Sequence, residues 1–159
     1  MEENKICSFF GHSNVEITDE LKRLTKLEII NAINYGCRIF YFGGYSNFDS
    51  LCYKVLGGII LEKPQLNIKR VYCVPQEQFL RKKARYFNRE DYDEVVYLQP
   101  RKTGWYRCIF FRNIAMIDGS DYVIFYAEER ERSGAYKTFL YAKKQKNKVI
   151  INVIDKIEN

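Results

Sequence analysis

Histidine is nearly absent from this chain: His12 is the single one, beside one tryptophan and three prolines. No C-x-x-C occurs among Cys7, Cys37, Cys52, Cys73 and Cys108, and no ligand spacing fits a zinc site. The cysteine count is odd and most of these residues fall in apolar runs. They read as small buried hydrophobes in a reducing compartment. Glycine-rich phosphate fingerprints are missing too. There is no G-x-G-x-x-G after the first strand and no G-x-x-x-x-G-K-[ST] anywhere, which excludes dinucleotide binding of the usual kind and P-loop NTPase chemistry. No apolar run approaches the ~18 residues of a membrane helix. The opening Met1–Lys5 is polar, unlike a secretory leader. A cytoplasmic protein with no membrane partner, metal or cofactor is expected.

What is abundant is aromatic and apolar. The 159 residues include 13 Tyr and 11 Phe, and 47% are hydrophobic. Such a chain can bury a core, and its length fits one domain over residues 1–159. Twenty-six Lys and Arg against twenty Asp and Glu leave a net charge of +6. That balance suits anionic partners, and it equally suits plain solubility.

The pattern along the chain alternates short apolar runs with helical periodicity. Lys5–Phe10, Arg38–Phe42, Ile68–Val74, Glu94–Leu98, Asp121–Ala127 and Lys148–Ile154 read as strands. Thr18 is placed to cap a first helix that Gly36 ends. Asp49 is placed to cap a second, which turns Leu51, Cys52, Val55, Leu56 and Ile59 inward. Gln76–Arg89 reads as a short basic-aromatic surface helix, Lys102–Gly104 as a loop, Tyr106–Met116 as a helix, and Gly134–Gln145 as the last helix. Continuous apolar strands between helices imply an α/β fold: three layers, Rossmann-like, with a mainly parallel sheet and helices on both faces.

Ligands of such sheets bind outside the carboxyl ends of the strands. Three glycine-bearing loops arrive there: Gly11–Ser13, Gly43–Asp49 and Ser133–Thr138. Their glycines admit close backbone approach, or simply make tight turns. Lys137 and Thr138 bring a charge and a hydroxyl to the first turn of the last helix, whose free N–H groups suit a phosphate. Gly134 and Ala135 open that turn. His12 is placed to donate to a phosphate or ribose, or to hold its loop through a backbone bond. Arg112 is placed to contact a phosphate, or to pair with Asp118 or Asp121. Tyr45, Phe48 and Tyr136 are rings for stacking on a base, or for the core.

Cys7–His12, Phe42–Tyr45 with Phe48–Asp49, Arg112–Asn113 with Met116–Asp118, Ser120–Ile124 and Gly134–Thr138 occur in an order that resembles the SLOG superfamily, in its short single-domain YpsA-like branch. The resemblance spans nearly the whole chain. It implies a Rossmann-like fold and a nucleotide-derived ligand. The superfamily includes cytokinin-activating phosphoribohydrolases, the DNA-processing protein DprA, and sensors of nucleotide signals such as cyclic ADP-ribose-type molecules. The hydrolase branch is marked by P-G-G-x-G-T-x-x-E. Gly134 and Thr138 match parts of that loop and Arg112 matches its arginine. Lys137 replaces the glycine before the threonine, and Tyr141 replaces the acid. The missing carboxylate is the group needed for acid-base work on a glycosidic bond.

Three expectations follow. The first is a module that senses or sequesters an ADP-ribose-like or related nucleotide signal, in a phage or defence setting, working as a dimer or larger homo-oligomer. The second is a nucleotide N-glycosidase using Arg112 and Asp49. The third is single-stranded nucleic-acid binding through the basic-aromatic run 79–89.

Overall fold

A computed structural model describes residues 3–44, 46–80, 88–98 and 107–157. Among the described residues, six strands and four α-helices follow in the order β1 (Lys5–Gly11), α1 (Asp19–Tyr35), β2 (Cys37–Phe42), α2 (Asn47–Glu62), β3 (Lys69–Cys73), β4 (Glu94–Val96), α3 (Cys108–Asp118), β5 (Tyr122–Tyr126), α4 (Gly134–Lys143) and β6 (Val149–Asn152). All strand pairs are parallel, in the order β4-β3-β2-β1-β5-β6. The α/β Rossmann-like expectation holds. The chain winds outward from β1 to β4, then crosses back through α3 and continues from β5 on the other side of β1. The order therefore reverses between β1 and β5, and the crevice at their carboxyl ends is where such folds bind ligands.

The pleat sorts the core into two layers. Cys7 and Phe9 of β1 and Tyr122 and Ile124 of β5 point to one face, with Phe40 and Phe42 of β2 beside them. There they meet Leu21, Ile29 and Ala32 of α1 and Leu51 and Leu56 of α2. Phe10, Val123 and Phe125 point the other way, against Met116 and Ile117 of α3 and Ala142 of α4. Phe9 lies 5.0 Å from Phe42, and Phe10 lies 5.2 Å from Phe125, centroid to centroid. Strands covered on both faces cannot alternate apolar with polar residues, which is why they read as continuous apolar runs. Four of the five cysteines are buried in these layers; Cys108 is half-buried. Burial pushes the Cys37 and Cys73 thiols up to about 12, so they stay protonated and unreactive.

Local rules explain the helix starts. Thr18 Oγ1 accepts from the Leu21 amide at 3.1 Å and caps α1. The cap of α2 corrects the sequence reading. Ser46, not Asp49, is the N-cap, and its hydroxyl accepts the Asp49 amide at 2.9 Å. Asp49 sits in the first turn instead. The basic-aromatic run is also different from its expectation: Glu77–Leu80 and Arg89–Asp91 are single 3-10 turns, and residues 81–87 lie outside the described residues. The expected loop at 102–104 and Tyr106 lie outside them as well. Among the described residues no helix is long and apolar enough to cross a membrane.

Candidate functional site

The carboxyl ends of β1, β2 and β5 converge on a cleft of about 380 Å³. Its walls include Gly11 and His12 after β1, Gly43, Ser46 and Asp49 between β2 and α2, and Arg112 and Asn113 of α3. The last wall is the β5–α4 loop, with Arg130, Ser133, Gly134 and Ala135. The three loops named from the sequence thus meet in one place.

Gly11 lets α2 approach β1. A side-chain carbon on Gly11 would lie 2.6 Å from Phe48 Cβ, so only hydrogen fits there. The next residue, His12, is only 6% exposed. Its Nε2 accepts the Glu128 amide at 2.8 Å, which requires the proton to reside on Nδ1. Nδ1 then donates to Ser133 Oγ at 3.2 Å. The histidine therefore ties the β1 loop to the β5–α4 loop and serves as the loop-holding group of the two roles open to it. Ser133 is the N-cap of α4, and its oxygen also accepts the Tyr136 amide at 3.0 Å. With both lone pairs taken, the Ser133 hydroxyl can act on a ligand only as a donor.

The pKa of His12 is lowered from 6.5 because burial disfavours imidazolium; Arg130 lowers it further, and Glu128 opposes. Protonation would fill Nε2 and strand the Glu128 amide. A lowered native pKa means the unfolded chain takes up the proton first. Stability from this link is therefore complete above pH 6.5 and falls as pH drops through the native value. Denaturant titrations at pH 7.5 and pH 5 should show a larger loss for the wild type than for His12→Gln. Equal losses would refute the link.

Gly43 and Gly44 end β2. Gly44 has φ 76° and donates its amide to Asp49 Oδ2 at 3.1 Å. Arg112 is 2% exposed, and its Nη1 donates to the carbonyls of Gly43 and Cys73, each at 3.1 Å. Its Nε donates to Asn113 Oδ1 at 3.0 Å. Neither of its expected acidic partners is where the pairing requires. Asp118 accepts from the Tyr141 hydroxyl at 2.7 Å, and Asp121 accepts the Ile6 amide at 3.0 Å. Arg112 shapes the cleft by pinning the ends of β2 and β3. Thr138 is fully buried and donates to the Gly134 carbonyl at 2.8 Å, steadying the first turn of α4. Phe48 is fully buried in the core, Tyr136 is half-buried with its ring 6.2 Å from Phe139, and Lys137 is exposed on α4. These four do not line the cleft. Tyr45 lies outside the described residues.

Sequence reasoning placed Ser133 and Asn47 in the ligand-edge loops and Asn113 beside Arg112, but gave none of them a role. Asn47 clamps the β1 loop, accepting the Val15 amide at 2.8 Å and donating to its carbonyl at 2.6 Å. Ser133 carried a signal, because a serine before a helical run is an N-cap candidate. The clamp carried none.

No protein-family model matches the chain, and no curated protein does. Among solved structures, the chain is similar to the X-ray structure of DNA processing protein A (DprA) from Streptococcus pneumoniae, with TM-score 0.59 and 15% identity. The likeness covers 93% of this chain and 50% of that one, so this chain spans about half its length. The shared feature is the fold, a Rossmann-like α/β fold.

Proposed function

We propose that this chain is a SLOG-superfamily module that binds a nucleotide-derived small molecule in the cleft between β1, β2 and β5. The observation that carries the reading is the Ser133 hydroxyl. It stands at the start of α4 with both lone pairs committed, so it seeks an acceptor oxygen, as a phosphate offers. The amides of Gly134 and Ala135 begin the helix there, beside Arg130, whose guanidinium is paired with Glu128. The site residues in this reading are Gly11, His12, Gly43, Asp49, Arg112, Gly134 and Ala135 together with Ser133. Gly44, Phe48, Thr138 and Tyr136 support them from behind, Lys137 flanks them, and Tyr45, outside the described residues, is kept as a candidate from the sequence alone.

Binding rather than cleavage is favoured by Tyr141. It occupies the position of the hydrolase acid, and its hydroxyl turns to Asp118. Asp49 borders the cleft but gives one oxygen to Gly44. An ADP-ribose or cyclic ADP-ribose-type signal, sensed or sequestered by a cytoplasmic homo-oligomer, is the specific form of the proposal.

The test is mass spectrometry of small molecules released by heat, beside a thermal-shift panel. The panel holds nucleoside monophosphates, NAD, ADP-ribose, cyclic ADP-ribose isomers and cyclic dinucleotides. At least one member should raise Tm. Ser133→Asp keeps a helix cap but cannot donate, so it should weaken that ligand about tenfold or more. No released nucleotide and no shift would end the reading, and free base appearing from the panel would replace it with an enzyme.

A further inference from the structure

A second recess, of about 210 Å³, opens on the other side of Asp49. It lies between the outer face of α2 and the 3-10 turn before β4. The two cavities meet at one point of the chain. Gly43 borders the cleft, its neighbour Gly44 borders the recess, and Asp49 borders both.

The two cavities differ in chemistry. The cleft ends on the Ser133 hydroxyl and the first amides of α4, beside the Arg130–Glu128 pair. The recess is walled by Tyr53 and Tyr92, whose ring centroids are 5.3 Å apart at 60°. These rings are held from behind. The Arg70 guanidinium lies 4.1 Å from the Tyr53 centroid, and Tyr72 lies 5.2 Å from Tyr92. The Tyr53 hydroxyl donates to the Asp91 carbonyl, which fixes α2 to the turn. The rim carries Lys54, Asn88 and Asp91, all exposed. Rigid aromatic walls with a mixed donor and acceptor rim suit a flat ring that has apolar faces and polar edges. With the carboxylates of Asp49 and Asp91 against Lys54 alone, they suit a phosphate less than the cleft does, where Arg112, Arg130 and Arg132 stand against Asp49 and Glu131.

We infer that the cleft and the recess form one bipartite site, and that the recess takes the base of a nucleotide whose phosphate lies toward Ser133. The inference rests on the nucleotide reading above and gives it a direction. The sugar passes Asp49 and the bare backbone of Gly43–Gly44.

Calorimetry with AMP and with ribose 5-phosphate, which lacks the base, tests it on the full chain. Wild type should bind AMP more tightly. Ser50→Trp, at an exposed position of α2, fills the recess from its rim and removes no ring. It should weaken AMP about tenfold or more and leave ribose 5-phosphate unchanged. Tyr92→Ala should do the same, and Ser50→Trp carries the test alone if that variant fails to fold. AMP binding no tighter than ribose 5-phosphate, or Ser50→Trp affecting both equally or neither, overturns the bipartite site. If Ser133→Asp still weakens both probes in that case, the cleft stands without the recess. If no nucleotide of the panel binds, the underlying reading falls and takes the recess with it.

Discussion

Arg112→Ala will lower the unfolding free energy by about 3–5 kcal/mol. The guanidinium is 2% exposed and holds two carbonyls that end neighbouring strands. Truncation leaves Gly43 and Cys73 oxygens buried without this donor, and a buried polar group so stranded costs about 1–3 kcal/mol. It also opens a void beside Gly43, where the guanidinium packs so closely that a carbon added to the glycine would lie 2.8 Å from Nη2. Lysine will not restore the loss, because one ammonium cannot hold both carbonyls, as Nη1 does, and also reach Asn113, as Nε does. Urea titration of wild type, Arg112→Ala and Arg112→Lys checks this. A loss under about 1 kcal/mol in the alanine variant would mean the strand ends hold without the arginine.

Gly44→Ala will cost about 2–4 kcal/mol. Two penalties combine. The backbone is in the left-handed region, at φ 76°. An added carbon would also lie 2.4 Å from Cε2 of Tyr72, a ring that is 1% exposed. That ring stacks edge-on with Tyr92, so it has little room to yield. Gly134→Ala provides the contrast, since nothing lies within 4 Å of a carbon added there. Equal denaturation midpoints for the two variants would refute the steric account.

These two residues also show what could be read from the sequence. The strands were legible because β1, β2 and β5 are buried on both faces and therefore apolar throughout. The α1 ends were legible because Thr18 and Gly36 act locally, within one turn. The second cap was ambiguous: Ser46 and Asp49 are both good N-cap residues three positions apart. The structure uses Ser46 for the cap and turns Asp49 back to Gly44. Arg112 was legible as a site residue but not in its role. Its main partners are carbonyl groups, which every residue has, so sequence offers no sign of them. His12 was half legible for the same reason. Its Nε2 partner is a backbone amide 116 positions away.

The position of β1 at the centre of the sheet has a consequence during synthesis. One edge of β1 pairs with β2 as soon as that strand is made. The other waits for β5, and Ile6 and Asp121, which bond across that join, are 115 positions apart. At ribosomal speeds the delay is roughly 6–23 s. Throughout it the nascent chain carries β1 with one edge unpaired, along Cys7, Ser8, Phe9 and Phe10, ready to pair with any neighbour. Chains stalled before Tyr122 should therefore be the sticky species in the cell. The cleft, which needs His12 to find Glu128, is among the last features the growing polypeptide completes.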